Sequence, residues 1–170
     1  MIDSLVDSGF SLLLAYGLPA LFVLFVVKGA IIGKPLPTSV FLPGYIVAIS
    51  ASRRTIALSV LVASFGYVLG QLLIYWLASY RGLEAVHSIP GVTISDEQMA
   101  RADRLFRRHS GAGIFVTNLV PYVGSFIMIP AGIASYPLSR ATFYALTSTL
   151  LNYVLIVWVV VGSVQFFVPG

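Results

Sequence analysis

Two apolar stretches of this chain cannot stay helical from end to end: Lys34-Pro-Leu-Pro-Thr-Ser-Val-Phe-Leu-Pro-Gly44 and Asn118-Leu-Val-Pro-Tyr-Val-Gly-Ser-Phe-Ile-Met-Ile-Pro-Ala-Gly132. A proline inside a helix removes a backbone hydrogen bond at a cost of roughly 3 kcal/mol. Hydrocarbon offers no water to replace that bond, so such backbone persists at membrane depth only where protein or a wet cavity surrounds it. Paired interruptions, one in each half of a membrane protein, are the sequence pointer to a transport site near the bilayer midplane.

The surrounding composition places both stretches in a membrane. Hydrophobic residues make up 58% of the 170 positions and charged residues only 9%, with a mean hydropathy of +0.96, against about 25% charged in soluble domains. One compact domain covering 1–170 is the natural reading. The absence of cysteine excludes disulfides, thiolate catalysis and thiolate metal sites. Asp3 and Asp7 near the N-terminus, with no basic residue there, are unlike the positive start of a cleaved signal peptide. A net charge of +4 comes from basic residues beside apolar segments, with no base-stacking or groove-reading motif. The expected partners are therefore membrane lipids with anionic headgroups, each juxtamembrane Lys or Arg contributing about 1 kcal/mol, and not nucleic acid.

The pass along the chain predicts an all-α integral membrane protein with three or four spanning helices, two re-entrant hairpins and an amphipathic surface helix. The first half covers 9–80. It opens with an uncharged run from Gly9 to Val27 of 19 residues, close to the ~20 needed to cross a bilayer core, in which Gly17 and Pro19 are candidate kinks. A hairpin over 29–52 follows, interrupted by Gly33, Pro35, Pro37, Pro43 and Gly44. Thr55 to Ser79 is a second span, with Gly66 and Gly70 spaced for close helix packing and Tyr75, Trp76 and Tyr80 at its end. A hydrophilic connector, 81–112, holds a helix opened by the capping box Ser95-Asp-Glu-Gln98. Met99, Ala102 and Phe106 share one face of it, and Arg101, Arg104 and Arg108 another, as on a membrane surface or as in a solvated helix. The second half, 113–167, holds a hairpin over 113–137 and a final span from Ala141 to Phe167, with Asn152 deep inside it. Helix, broken hairpin and helix recur in both halves, the plan of an inverted repeat.

These pieces resemble the DedA family of membrane proteins, also called the SNARE-associated or VTT-domain family, over roughly Lys28 to Gly162. Pro35-Leu-Pro-Thr-Ser-Val-Phe-Leu-Pro-Gly44 is similar to the family's proline-rich entry loop. Gly66-Tyr-Val-Leu-Gly70 with Tyr75, Ala78 and Gly82 resembles its glycine-rich helix. Phe115-Val-Thr-Asn-Leu-Val-Pro121 continuing to Ile129-Pro-Ala-Gly132 is similar to its Phe-x-x-Arg-x-x-Pro and Pro-Ala-Gly sequence, and Phe143 to Gly162 matches loosely. The resemblance implies lipid translocation, with polyprenyl phosphate or phospholipid as cargo and, in several bacterial members, coupling to the proton-motive force. It also implies the cell membrane as location for a prokaryotic chain. This sequence departs from the pattern: Lys28, Thr38 or Tyr45 stands where the family favours an acid, and Asn118 and Gly124 stand for its two arginines.

All six acids, Asp3, Asp7, Glu84, Asp96, Glu97 and Asp103, lie outside the apolar segments. An intramembrane carboxylate relay is therefore not expected. The reading is a passive carrier or scramblase for a phosphate-bearing lipid. Its candidate binding residues are Lys28, Lys34, Pro37, Thr38, Ser39, Pro43, Gly44, Asn118, Pro121, Gly124, Ser125, Pro130 and Gly132. Backbone N–H groups at hairpin helix ends would assist. Gly66, Gly70 and Tyr75 are candidate packing residues. Each assignment has a structural counterpart: lysines at membrane boundaries snorkel, Asn118 can cap broken backbone, and Tyr45 and Tyr122 can be packing rather than gates. His87 and His109 lie in the hydrophilic region without further ligands, so no metal or other cofactor is expected. No nucleophile–base–acid set or intramembrane Asp pair suggests an enzyme. A non-transporting scaffold or chaperone-like membrane protein is the alternative, and a homo-oligomer is compatible with either.

Overall fold

The computed structural model describes residues 2–30, 38–87, 95–109, 111–119 and 124–167. Regular structure among them is entirely α-helical: α1 (Ile2–Tyr16), α2 (Leu18–Ala30), α3 (Thr38–Ala48), α4 (Arg53–His87), α5 (Asp96–His109), α6 (Gly111–Leu119), α7 (Met128–Ile133) and α8 (Leu138–Phe167). Two are long and apolar enough to cross a membrane, α4 over Arg53–Gly82 (30 residues) and α8 over Leu138–Ser163 (26 residues). Ser52 opens α4 as an N-cap, its Oγ accepting the Thr55 N–H at 3.3 Å. Gly82, at φ 67° and ψ −160°, breaks the helix before His87.

The expected first span from Gly9 to Val27 is not one helix. Gly17 takes φ +60°, a left-handed conformation that a residue without Cβ adopts freely and that ends helices. Its N–H donates to the Leu13 carbonyl at 2.9 Å and its own carbonyl accepts from Leu21 at 3.0 Å, so it closes α1 and opens α2. Pro19 falls in the first turn of α2, where its missing N–H costs nothing. The chain folds back here. A Cβ on Gly9 would lie 3.7 Å from Leu24, whereas 15 residues of continuous helix would separate the two by roughly 22 Å.

Both interrupted stretches are built of short helices. The first departs from the hairpin expected over 29–52, because its leading helix is α2, which already begins at Leu18 and has 13 residues, while α3 has 11, ~20 and ~16 Å at 1.5 Å per residue, against a hydrocarbon core of ~30 Å. In the second, α6 has nine residues and α7 six. Glycines set where these pieces lie. A Cβ on Gly66 would strike the Phe22 carbonyl, one on Gly70 the Val26 carbonyl, and one on Gly29 the Tyr67 carbonyl, so α2 runs parallel to α4 with backbone on backbone. Gly132 meets the Tyr75 carbonyl in the same way, which seats α7 further along the same helix. On the other side, α6 runs beside α8, with Gly111 at Tyr144 and Asn118 at Ser148.

Two apolar cores result. One gathers Leu13, Leu21, Phe25, Phe41, Tyr45, Val60 and Val157 around α1, α2 and α3. The other gathers Ile74, Tyr75, Ile114, Ile127, Met128, Ile129 and Ala145 around α6 and α7. The amphipathic α5 lies over the second core, Phe106 buried and edge-on to Tyr136 with ring centroids 5.4 Å apart. Its outer side carries the exposed pairs Arg101–Glu97 (2.5 Å) and Arg107–Asp103 (2.8 Å). Exposed pairs at this spacing contribute about 0.3–0.5 kcal/mol each.

Because the α2–α4 contact is backbone against backbone, no side chain can yield to an added group. Gly70→Leu is expected to lower the thermal unfolding midpoint of the purified protein strongly, by the equivalent of about 3 kcal/mol or more. Gly162→Ala, at a glycine with nothing within 4 Å, is expected to leave the midpoint unchanged or raise it slightly. Circular dichroism melts of the two variants check this.

Candidate functional site

A helix ending inside a membrane leaves its last carbonyls without partners, and hydrocarbon makes each orphan cost several kcal/mol. In this fold the ends of α2 and α6 fall between the apolar cores. The Gly29 carbonyl, in the last turn of α2, accepts the Ser125 hydroxyl at 3.1 Å. The Asn118 carbonyl, in the last turn of α6, accepts the Asn152 side-chain amide at 2.9 Å. Polar side chains from distant parts of the chain thus complete the broken backbone and gather at one level.

That level is the middle of both long helices. Tyr67 and Gln71 stand 14 and 18 residues into α4, and Ser148 and Tyr153 stand 10 and 15 residues into α8. Gln71 Nε2 donates to Asn118 Oδ1 at 2.7 Å, and Asn118 Nδ2 donates to Ser148 Oγ at 3.0 Å. Ser148 Oγ in turn donates to the Tyr144 carbonyl at 2.6 Å. Tyr67 OH lies 3.4 Å from Ser125 Oγ, and because Ser125 donates to Gly29, Tyr67 is the donor in that pair. Gly124 fills the corner: a Cβ there would collide with Asn118 Oδ1 and lie 3.0 Å from Tyr67 OH. Gln71 is fully buried, and its Oε1 has no hydrogen-bond partner among the described residues.

Lys28 completes the cluster. Its Nζ donates to Tyr153 OH at 3.3 Å and sits 5.1, 5.0 and 5.1 Å from the ring centroids of Phe25, Tyr67 and Tyr153. Cation–π attraction in a desolvated setting is worth ~2 kcal/mol. The negative end of the α2 dipole adds to it, since Lys28 lies in the last turn of that helix. Among the described residues no carboxylate pairs with this ammonium. Among the described residues one of its three N–H donors has a hydrogen-bond acceptor.

The structure therefore brings together four of the residues selected from sequence, Lys28, Asn118, Gly124 and Ser125. The others separate from them. Pro43 is buried inside α3 and Gly44 lies under the Phe10 ring. Pro130 and Gly132 are buried in α7 against α4. Gly66 and Gly70 receive α2, and Tyr75 OH donates to the Tyr136 carbonyl at 2.5 Å. Tyr45 is buried in the first core. Lys34, Pro37, Pro121 and Tyr122 lie outside the described residues, as do the side chains of Thr38 and Ser39, which open α3. Among the described residues the Asn118 amide binds side chains of α4 and α8. Sequence reasoning missed Tyr67, Gln71, Ser148 and Tyr153. Gln71 did carry a signal, as a lone amide in an otherwise apolar span directly after Gly70.

Comparison with known proteins agrees with a membrane setting. An uncharacterized membrane protein of Bacillus subtilis (strain 168), YkoX, is 32% identical over 148 residues, 79% of this chain and 66% of the relative. The chain is a helical membrane protein. Two proteins named alkaline phosphatase-like, from Lactococcus lactis subsp. lactis (strain IL1403) and subsp. cremoris (strain MG1363), are each 26% identical over 129 residues, 72% of this chain and 60% of the relative. The chain thus spans less than two thirds of the length of the relatives it matches. No family profile and no solved structure matches it.

The polar layer makes a quantitative claim on stability. Asn118→Leu leaves the Gln71 amide without its partner in a buried site, at a cost of about 1–3 kcal/mol. The double variant Gln71→Leu/Asn118→Leu is expected to lose less than the sum of the single changes, because no buried amide of that pair then remains. A double-mutant cycle in denaturant or heat should give a coupling of roughly 0.5–3 kcal/mol; additivity would separate the two side chains energetically.

Proposed function

We propose that the protein is a lipid translocator of the DedA type, moving a phosphate-bearing lipid between leaflets past the Lys28 cluster. The observation that carries this reading is Lys28: an ammonium between the long helices, midway along them, with aromatic faces around it and no carboxylate beside it among the described residues. Intramembrane charges are costly and are retained where they handle a substrate or an ion. An ammonium with one donor engaged among the described residues suits a phosphate oxygen. The hydroxyl and amide groups of Ser125, Asn118 and Gln71 offer further hydrogen bonds at the same level.

In this reading the two interrupted stretches are re-entrant. The first enters from the Arg53 end of α4, reaches the polar layer at Ala30 and returns through α3. The second enters from the opposite end along α6 and returns along α7, giving the inverted repeat that alternating or shared access requires. The DedA-like motifs support the family assignment, and the similarity to a membrane protein of B. subtilis supports the membrane setting it needs. Among the described residues no acid forms an ion pair with Lys28, and in this reading transport runs down the lipid gradient without a proton relay. The relatives named alkaline phosphatase-like favour a second reading, chemistry on a phosphate ester.

Purified protein reconstituted into liposomes containing fluorescent phospholipid or polyprenyl phosphate tests both. Wild-type protein is expected to speed loss of inner-leaflet fluorescence to dithionite over empty vesicles, with no response to an imposed pH gradient. Lys28→Met should slow the process by about tenfold or more, since a charge-assisted hydrogen bond contributes ~1.5–3 kcal/mol, while the melting midpoint shows that the fold survives. No acceleration by the wild type would leave a scaffold. Release of inorganic phosphate from the lipid would instead favour the hydrolytic reading.

A further inference from the structure

Outside the polar layer, an open groove of about 580 Å³ runs between the start of α4 and the end of α8. Its walls are apolar, among them Ala57, Leu61, Leu150, Val154 and Trp158, and among the described residues its one charged lining residue is Arg53, at the start of α4. We propose that this groove holds one acyl chain of an anionic phospholipid, with the headgroup phosphate on Arg53.

Three features select that occupant. The groove extends along α8 from Gly162 to Leu150, 12 residues, or ~18 Å of helix. That is about one leaflet of a ~30 Å hydrocarbon core, so a lipid seated in it has its headgroup level with Arg53. The volume falls within the ~300–1,000 Å³ typical of ligand sites. The charge is also right: Arg53 and its neighbour Arg54 are exposed, and neither has an acidic partner among the described residues. A guanidinium holds a phosphate through two parallel N–H bonds, and Trp158, 74% exposed, offers a ring at the level where indoles settle in membranes.

The inner end of the groove gives the site its place in the molecule. Val60 and Leu150 line it and pack in the same core as Tyr153, the residue that holds Lys28. A chain in the groove therefore ends beside the polar layer. This last step rests on the transport reading above; the occupancy of the groove does not.

Trp158 reports directly on the groove. The sequence has two tryptophans, so Trp76→Phe leaves it as sole indole fluorophore. This protein would be placed in phosphatidylcholine vesicles carrying, at equal mole fraction, either phosphatidylglycerol or phosphatidylcholine with brominated chains, which quench indole on contact. The expected result is an apparent local enrichment of about fivefold for the anionic lipid, the preference that one basic residue near acidic headgroups supplies. Arg53→Gln should abolish it, Arg54→Gln should largely retain it, and Ala57→Phe should reduce quenching by narrowing the groove. Equal quenching by both lipids, or equal loss from the two arginine variants, would overturn the proposal in favour of unselective lipid contact or diffuse surface attraction. Flipping measured on the same vesicles separates the two readings. Selective quenching without flipping removes transport and keeps the groove, and flipping without selectivity does the reverse.

Discussion

The backbone carbonyls at the inner ends of α2 and α6 organise the rest of this molecule. A helix that stops between two apolar cores must find donors for its last carbonyl groups. Here Ser125 serves Gly29 and Asn152 serves Asn118, residues separated by 96 and 34 positions. Neither bond can form unless the second interrupted stretch sits against α2 on one side and α8 on the other. A backbone debt in each half is thus settled by a side chain from elsewhere, and the polar layer between the two cores follows from that exchange.

The glycine contacts decide where the exchange happens. Gly29 against Gly70 brings the last turn of α2 to the middle of α4, which sets Lys28 among the rings of Phe25, Tyr67 and Tyr153. Gly132 against Tyr75 fixes α7 on the same helix, carrying Gly124 and Ser125 to the same level. Small residues supply no hydrophobic attraction of their own; they let backbones approach so that dispersion and hydrogen bonds act at short range. α4 is the common support, and the function proposed for the cluster depends on its glycine face as much as on the polar groups.

Long uninterrupted apolar runs made α4 and α8 legible from sequence, and the periodic acids, arginines and apolar residues around Met99 and Phe106 made α5 legible. The prolines marked interruptions less well: Pro43 and Pro130 lie inside α3 and α7, while Pro35, Pro37 and Pro121 lie outside the described residues. Gly17 was harder, because a glycine before Leu-Pro fits either a bend or a reversal, and the choice of a left-handed φ is made by the packing of Gly9 and Phe10 on α2 and α3. Lys28 follows an apolar run of ordinary spanning length, so it reads as the boundary of a membrane helix. Only the reversal at Gly17, which shortens that run to α2, sets it beside the middle of α4 and α8. The Gln71–Asn118 pair joins residues 47 positions apart, and no local pattern in a single sequence announces such a contact.

The ring of aromatic faces around Lys28 has a practical use. The protons on its ε-carbon lie close to three circulating π-systems, so their magnetic resonance frequencies are displaced from those of a lysine in water. Any anion that draws the ammonium toward itself changes that displacement. Lysines are scarce in this chain, Lys28 and Lys34 being the two in the sequence, so isotope labelling of lysine alone gives a spectrum simple enough to assign. The buried cation then serves as its own probe of what enters the space beside it.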